Sequence, residues 1–302
     1  MTYVARARET TIRESLRECA PLVEKVGQGE WNFILNNGSA LLVSACATEH
    51  WLHLDAPLRC DAAQGGLDAW HLLKLNRGLG GLSKLALLQP GQTALRVRAE
   101  IPLDEDVDLQ RRLLEACAGL KSAAGRLHGE EKEELTRVDS LAATEEWKKE
   151  QDGSELQTLC AEAGWKFTER GQGKLAVELE TRTGFYQAIM EERAEGAVSV
   201  AVEVARDATF GENSRRAIGT LLLRASAHIK LARAVVFDGG EGSAAASFET
   251  LFQTRPCAAE VNHALSALAV ACGLCGGAAE AMRDEAVAAN YLAAQGLKLK
   301  LN

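Results

Sequence analysis

Apolar residues recur at helical spacing near the N-terminus, where Ile12, Leu16, Cys19 and Val23 form one stripe of residues 10–26 and Thr10 or Thr11 is placed to cap the start. The period then changes to two. Residues 31–35 and 40–46 flank Asn36-Asn37-Gly38, and Asn-Gly takes the positive φ angles of a tight hairpin turn. Alternation continues in HWLHLDA, which predicts a third strand with Leu52 and Leu54 on one face and Trp51, His53 and Asp55 on the other. The stretch GGLDAWHLLKLNRGLGG predicts a helix that stops at glycines. A strand pair follows around Pro90-Gly91, with Leu95, Val97 and Ala99 alternating against Arg96, Arg98 and Glu100. Pro102 ends the sheet, and the acidic run Asp104, Glu105, Asp106 suits the start of a third helix. The predicted order is α-β-β-β-α-β-β-α, an α+β domain whose antiparallel sheet packs with helices.

The same order returns further along the chain. GEWNFILNNGSALLVSA, with Trp31, Phe33 and Gly38, matches GWKFTERGQGKLAVELE, with Trp165, Phe167 and Gly173. Pro102, Val107, Leu114, Gly119 and Leu120 fall opposite Pro256, Val261, Leu268, Gly273 and Leu274 at one constant spacing. Copy two predicts a helix near 155–163, strands at 166–168, 174–181 and 197–205, a helix near 212–224, strands near 228–237 and 244–252, and a helix after Pro256, with one extra C-terminal helix. In AVSVAVEVA, Val198, Val200, Val202 and Val204 share one face of a strand. Self-similarity of this kind marks a tandem duplication. The expected domains are residues 1–128 and 154–302, joined by a Glu/Lys-rich linker at 129–153.

Two domains also suit a chain of 302 residues, longer than a single core usually grows. About half of the net charge of −8 sits in residues 126–152, so the repeats themselves are nearly neutral. With a pI near 5.4 and no basic cluster interleaved with aromatics, nucleic acid is not an expected partner. The N-terminus has arginines without a following apolar core, and no apolar run approaches the ~20 residues that cross a bilayer. A cytoplasmic protein without a membrane partner is therefore expected, with its eight cysteines reduced.

In copy one, Trp31, Phe33, ALLVSA, WHLLKLN, KLALL, LRVRAEIP and VDLQRRLLEACAGL, and in copy two WKF, KLAVELE, SVAVEVA, IGTLLLRASAHIKLARAVVF and VNHALSALAVACGL, carry a resemblance. In element order and texture the chain resembles the type III secretion chaperone fold and the bacterial YbjN-like domains that share it. The resemblance covers both repeats. It implies a module that binds another protein or peptide segment, without an active site or cofactor. Such domains are commonly acidic homodimers. Two fused copies imply a monomer whose repeats form an intramolecular pseudo-dimer, with a homodimer as the alternative.

Candidate chemistry is sparse. Cys272 and Cys275 form a C-x-x-C frame, but at a predicted helix end, where the dipole disfavours a thiolate, and without a second ligand pair at zinc spacing. His50 and His53 lie three apart on a strand and so point to opposite faces. His71 and His228 stand alone, and no G-x-S-x-G, H-E-x-x-H or P-loop occurs. NRGLGG is too short for a dinucleotide fingerprint and follows a helix. Asn37 satisfies a glycosylation sequon but is better explained as a hairpin turn. Trp31, Trp70 and Trp165 are expected in cores. The polar strand face bearing Trp51, His53, Arg96 and Arg98 is the expected partner-binding surface. The competing reading is an enzyme or a small-molecule or metal sensor, with a site between the repeats built from Cys272, Cys275 and His263.

Overall fold

The computed structural model describes residues 3–37, 39–58, 68–87, 95–128, 154–171, 173–207, 210–238 and 244–296. Repeat one runs α1 (Tyr3–Cys19), β1 (Val23–Gly27), β2 (Glu30–Asn37), β3 (Ser39–Ala47), β4 (Trp51–Leu58), α2 (Ala69–Arg77), β5 (Ser83–Leu87), β6 (Leu95–Pro102) and α3 (Leu109–His128). Repeat two runs α4 (Ser154–Glu162), β7 (Phe167–Gly171), β8 (Lys174–Thr181), β9 (Gly184–Glu192), β10 (Val198–Asp207), α5 (Glu212–His228), β11 (Arg233–Asp238), β12 (Ala244–Phe252) and α6 (Ala258–Ala271), then α7 (Gly277–Ala281) and α8 (Glu285–Ala294). The expected linker at 129–153 lies outside the described residues.

Each repeat holds a six-stranded antiparallel sheet, in the orders β1-β2-β3-β4-β6-β5 and β7-β8-β9-β10-β12-β11. The duplication therefore holds at the level of topology, as an α+β protein of two sheets. Each repeat has four strands before its middle helix, one more than the sequence pattern predicts. In repeat one, Pro21 ends α1 at Cys19, because a proline cannot extend the helical hydrogen-bond ladder, and residues 23–27 form an edge strand. In repeat two the extra strand is β9, where Ala188 and Met190 face the core and Gln187 faces solvent.

The residue matches also shift. Phe167 pairs with Val177 as Val23 pairs with Phe33, and both hairpins carry a bulge just before their glycine, Gly27 or Gly171. The place of Trp31 is thus held by Leu175, not by Trp165. Pro102 ends β6, whereas Pro256 lies beyond β12, next to the N-cap Cys257 of α6. The constant spacing seen in the sequence is not the structural register.

One face of sheet one forms the core of repeat one. Trp31, Phe33, Leu52, Leu54, Val97, Ala99 and Ile101 are buried there with Ile12 and Leu16 of α1 and Leu113, Ala116 and Leu120 of α3. Repeat two repeats the plan with Leu175, Val177, Met190, the four valines of β10 and Phe248 under α6. Burying each large aliphatic side chain contributes about 1.5–3 kcal/mol. Against the expectation that no apolar run approaches that length, the helical run Ala258–Ala281 is long and apolar enough, by length and composition, to cross a membrane. Its Val261, Leu265, Leu268, Cys272 and Ala279 are buried against repeat two's sheet and helices, as in a core helix.

The middle helices are exchanged. α2 packs on β11 of repeat two and α5 on β5 of repeat one, and α2 and α5 pack on each other. Gly219 makes that crossing close, since a Cβ there would stand 3.0 Å from the backbone of Ala69 and Trp70. Reciprocal contacts of this kind are those of an isologous dimer within one chain.

Candidate functional site

The seam between the repeats absorbs most of the residues singled out in the sequence. Asp55 and Arg98 are cross-strand partners on β4 and β6, as are His53 and Glu100. The Arg98 guanidinium donates to the Ala227 carbonyl at the end of α5 at 2.7 Å, and Arg96 pairs with Asp55 at 2.8 Å. Trp51 meets the His263 ring edge-on, with centroids 5.0 Å apart, and the Lys230 ammonium lies over its ring at 4.7 Å. His263 Nε2 is 2.8 Å from Asp104 Oδ2. His53 is half-buried, and burial holds its imidazole below the ordinary value of 6.5 against the opposing pull of Glu100. The face expected to meet a partner is thus the face that repeat two covers. Trp51 and Arg98 reach across to repeat two, His53 is half-buried beside them, and Arg96 lies at the margin, paired within its own sheet.

Two buried cations complete this seam. Lys84 pairs with Glu100 at 2.9 Å and donates to the Ile229 carbonyl, while Glu100 accepts from the Leu231 amide. Burial pulls the lysine's proton affinity down and the carboxylate beside it pulls the other way. Arg233 pairs with Glu249 at 2.8 Å and donates to the Leu79 carbonyl of repeat one. Gly81 and Leu231 both take left-handed backbone, at φ of 58° and 61°, in the loops that follow α2 and α5. A third pair, Arg112 with Glu260 at 2.5 and 2.9 Å, joins α3 to α6, and Glu115 shares the same guanidinium.

Cys272 and Cys275 are elsewhere. They sit in a π-helical turn, Cys272–Gly276, inside a continuous helix and not at a helix end. Both are buried, and desolvation pushes the Cys272 thiol up to about 12 and Cys275 up to about 11. Burial, not a helix dipole, is what keeps them protonated. The Tyr186 hydroxyl packs where a Cβ of Gly276 would stand, so a side chain there would have to displace that ring. His263 does not join them, and no three His, Cys, Asp or Glu groups gather at metal-binding distance among the described residues.

Two other features were not legible in the sequence. The first is a cleft of about 760 Å³ between the C-terminal half of α2, the middle and end of α3, and the sheet of repeat two. His71, Lys74, Arg77, Arg126 and Arg193 line it, and no carboxylate does among the described residues. Its wall includes Gly78 and Gly80 of the NRGLGG stretch, together with Gly119. The glycines were visible in the sequence, but their meeting with Arg193 across the seam depends on the exchanged packing of α2.

The second is the open part of sheet one. Ile34 and Leu42 are cross-strand partners at 42% and 52% exposure, and Leu22, one residue before β1, extends the same row. The equivalent positions in repeat two, by the register of β7 to β9, are Lys166, Glu178 and Gln187. Glu24 and Glu30 are exposed on the apolar row's own face, opposite Asn32 and Cys46.

No protein-family model, curated protein or solved structure matches the chain.

Proposed function

We propose that the chain is a non-enzymatic, chaperone-like protein-binding module in which the second repeat takes the place of a second subunit. The observation that carries this reading is the exposed row Leu22, Ile34 and Leu42 on sheet one, where repeat two has Lys166, Glu178 and Gln187, with Phe185 the only large apolar residue exposed nearby on that face among the described residues. Exposed apolar residues scattered singly mean little, but a cross-strand pair extended by the residue before a third strand, at positions that are polar in the sister repeat, supports a docking face. Its acidic flank, Glu24 and Glu30, suits an apolar partner segment with basic neighbours.

Docking onto the face is favoured over strand addition. The free edges β1 and β7 are five residues long, carry Glu24 and Lys25 or Glu169 and Arg170, and are bulged, all of which discourage an added strand. The type III secretion chaperone resemblance fits this reading through element order alone, and the additional strand in each repeat is a departure from the order it implies.

The test is suppression of aggregation of a thermally unfolding model protein by the purified chain. Ile34→Thr/Leu42→Thr, both at exposed strand positions that a β-branched residue suits, is expected to abolish suppression while leaving thermal stability within about 0.5 kcal/mol. Full suppression by that variant would remove the face from the account.

A further inference from the structure

The cleft between the repeats has the chemistry of a ligand site, independently of the sheet face. Its volume lies within the range of small-molecule sites, roughly 300–1,000 Å³. Two of its cations are already oriented. Arg77 lies over the Phe237 ring at 4.7 Å, and Arg193 donates to Ser199 Oγ at 3.0 Å with Glu249 3.4 Å away. Glu249 also serves the buried Arg233, so the two arginines share one carboxylate and keep a net positive charge. Leu75, Leu79, Val236 and Leu251 give the cleft apolar walls, which strengthen the field of the cations within it.

The approximate two-fold relation of the repeats gives a second, independent argument. Leu85, Val97 and Ala56 form a cross-strand row, matched in repeat two by Ala234, Phe248 and Val202. Counting back along β4 and β10, Trp51 corresponds to Ala197, and counting along the loops after α2 and α5, Lys230 corresponds to Gly80. At one end of the seam, Lys230, Trp51 and His263 fill the space. At the other, Gly80 and Ala197 stand at the corresponding positions, the Gln253 side chain packs against Gly80, and the cations line the cleft beside it. The two ends of the seam thus differ, one packed by Trp51, Lys230 and His263 and the other lined by cations in a chain whose net charge is −8.

We infer that this cleft binds a small polyanion, a molecule carrying two or more phosphate or carboxylate groups. The guanidinium forks of Arg77, Arg126 and Arg193 and the point charge of Lys74 suit either group.

The test is calorimetric titration of the full chain at low ionic strength with tripolyphosphate, citrate and neutral trehalose. Saturable one-to-one binding of tripolyphosphate or citrate is expected, the tighter of the two identifying the headgroup, with no heat from trehalose. Lys74→Glu should weaken binding at least tenfold. Ala118→Trp, which fills the cleft from an exposed position on α3 without changing its charge, should do the same. Arg170→Glu, exposed on β7, should change affinity less than twofold. The two cleft variants act differently on the fold, so a failure of one to fold leaves the other to report. Absence of binding, equal losses in all three variants, or tighter binding of a single-stranded oligonucleotide that Ala118→Trp leaves intact would overturn the inference.

Discussion

Lys84 and Arg233 are counterparts across the seam. Each immediately precedes a residue whose backbone amide is held by a polar side chain of the helix before it, Leu85 by Asn76 and Ala234 by Ser226. Each then reaches into the other repeat, to the Ile229 and Leu79 carbonyls, at matching positions after α5 and α2. Their carboxylates differ in place, since Glu249 stands directly opposite Arg233 whereas Arg98 stands opposite Lys84 and Glu100 is offset along β6. A buried ion pair adds little net stability over an apolar pair, but it is costly to break and fixes how two surfaces meet.

Breaking either pair from the acidic side should therefore be severe. Glu100→Gln and Glu249→Gln are each expected to cost about 3–5 kcal/mol in chemical denaturation, because each leaves a buried cation without its counterion. The double variant Lys84→Met/Glu100→Leu should recover most of that loss. A Glu100→Gln effect below about 1 kcal/mol would mean that water enters the seam.

His53 gives the seam a pH dependence. Its imidazole faces Glu100 on the neighbouring strand, with Arg98, Lys84 and Lys230 around it, and burial lowers its proton affinity below the ordinary value. The unfolded chain then binds more protons near pH 6.5, so stability falls as pH drops through that value and is fully present above it. His53→Gln should remove this component, so that the stability gap between the two proteins is flat above pH 7 and changes in the variant's favour below pH 6.5. An unchanged gap down to pH 5 would show that His53 titrates as in the unfolded chain.

Cys272 and Cys275 should be inert in the native state. In thiol titration with an aromatic disulfide at pH 8, the exposed Cys46 is expected to react quickly and the buried pair only on unfolding. Cys272→Ala/Cys275→Ala should have the same number of fast thiols as the unaltered chain. Two fewer would revive a dithiol function for the π-helical turn.

Glycines separate close packing from open helix surface. A Cβ on Gly119 would stand 2.3 Å from Ser83 Oγ and 2.5 Å from the Gly80 carbonyl, whereas one on Gly277 meets nothing within 4 Å. Gly119→Ala is expected to cost about 1–3 kcal/mol by forcing α3 from the sheet. Gly277→Ala should stabilise by about 0.5–1 kcal/mol through helix propensity. Equal effects in thermal unfolding would contradict the packing of α3.

The repeat architecture was legible because periodicity changes from two to 3.6 at the same places in both halves, as in β10 and α5. Pro21 was the local signal for β1, but the apolar stripe through Val23 ran across it. Residue matches failed for a different reason: Trp31 and Trp165 look alike in sequence, while only Trp31 lies on the second strand of its sheet. The seam was not legible at all. That Arg98 and Trp51 would meet α5 and α6 depends on exchanged helix packing, which no local pattern encodes. The basic cleft was hidden likewise, because Lys74 and Arg77 of α2 meet Arg126 and Arg193 from distant parts of the sequence, and each looks like an ordinary solvated charge.

The central claim is that repeat two satisfies repeat one as a second subunit would. Sedimentation equilibrium of the purified full chain tests it most directly. A single species at the chain mass of 32.4 kDa, independent of concentration, is the expected result. A stable species of twice that mass would show that the fused repeats still require a partner copy, and would contradict the account.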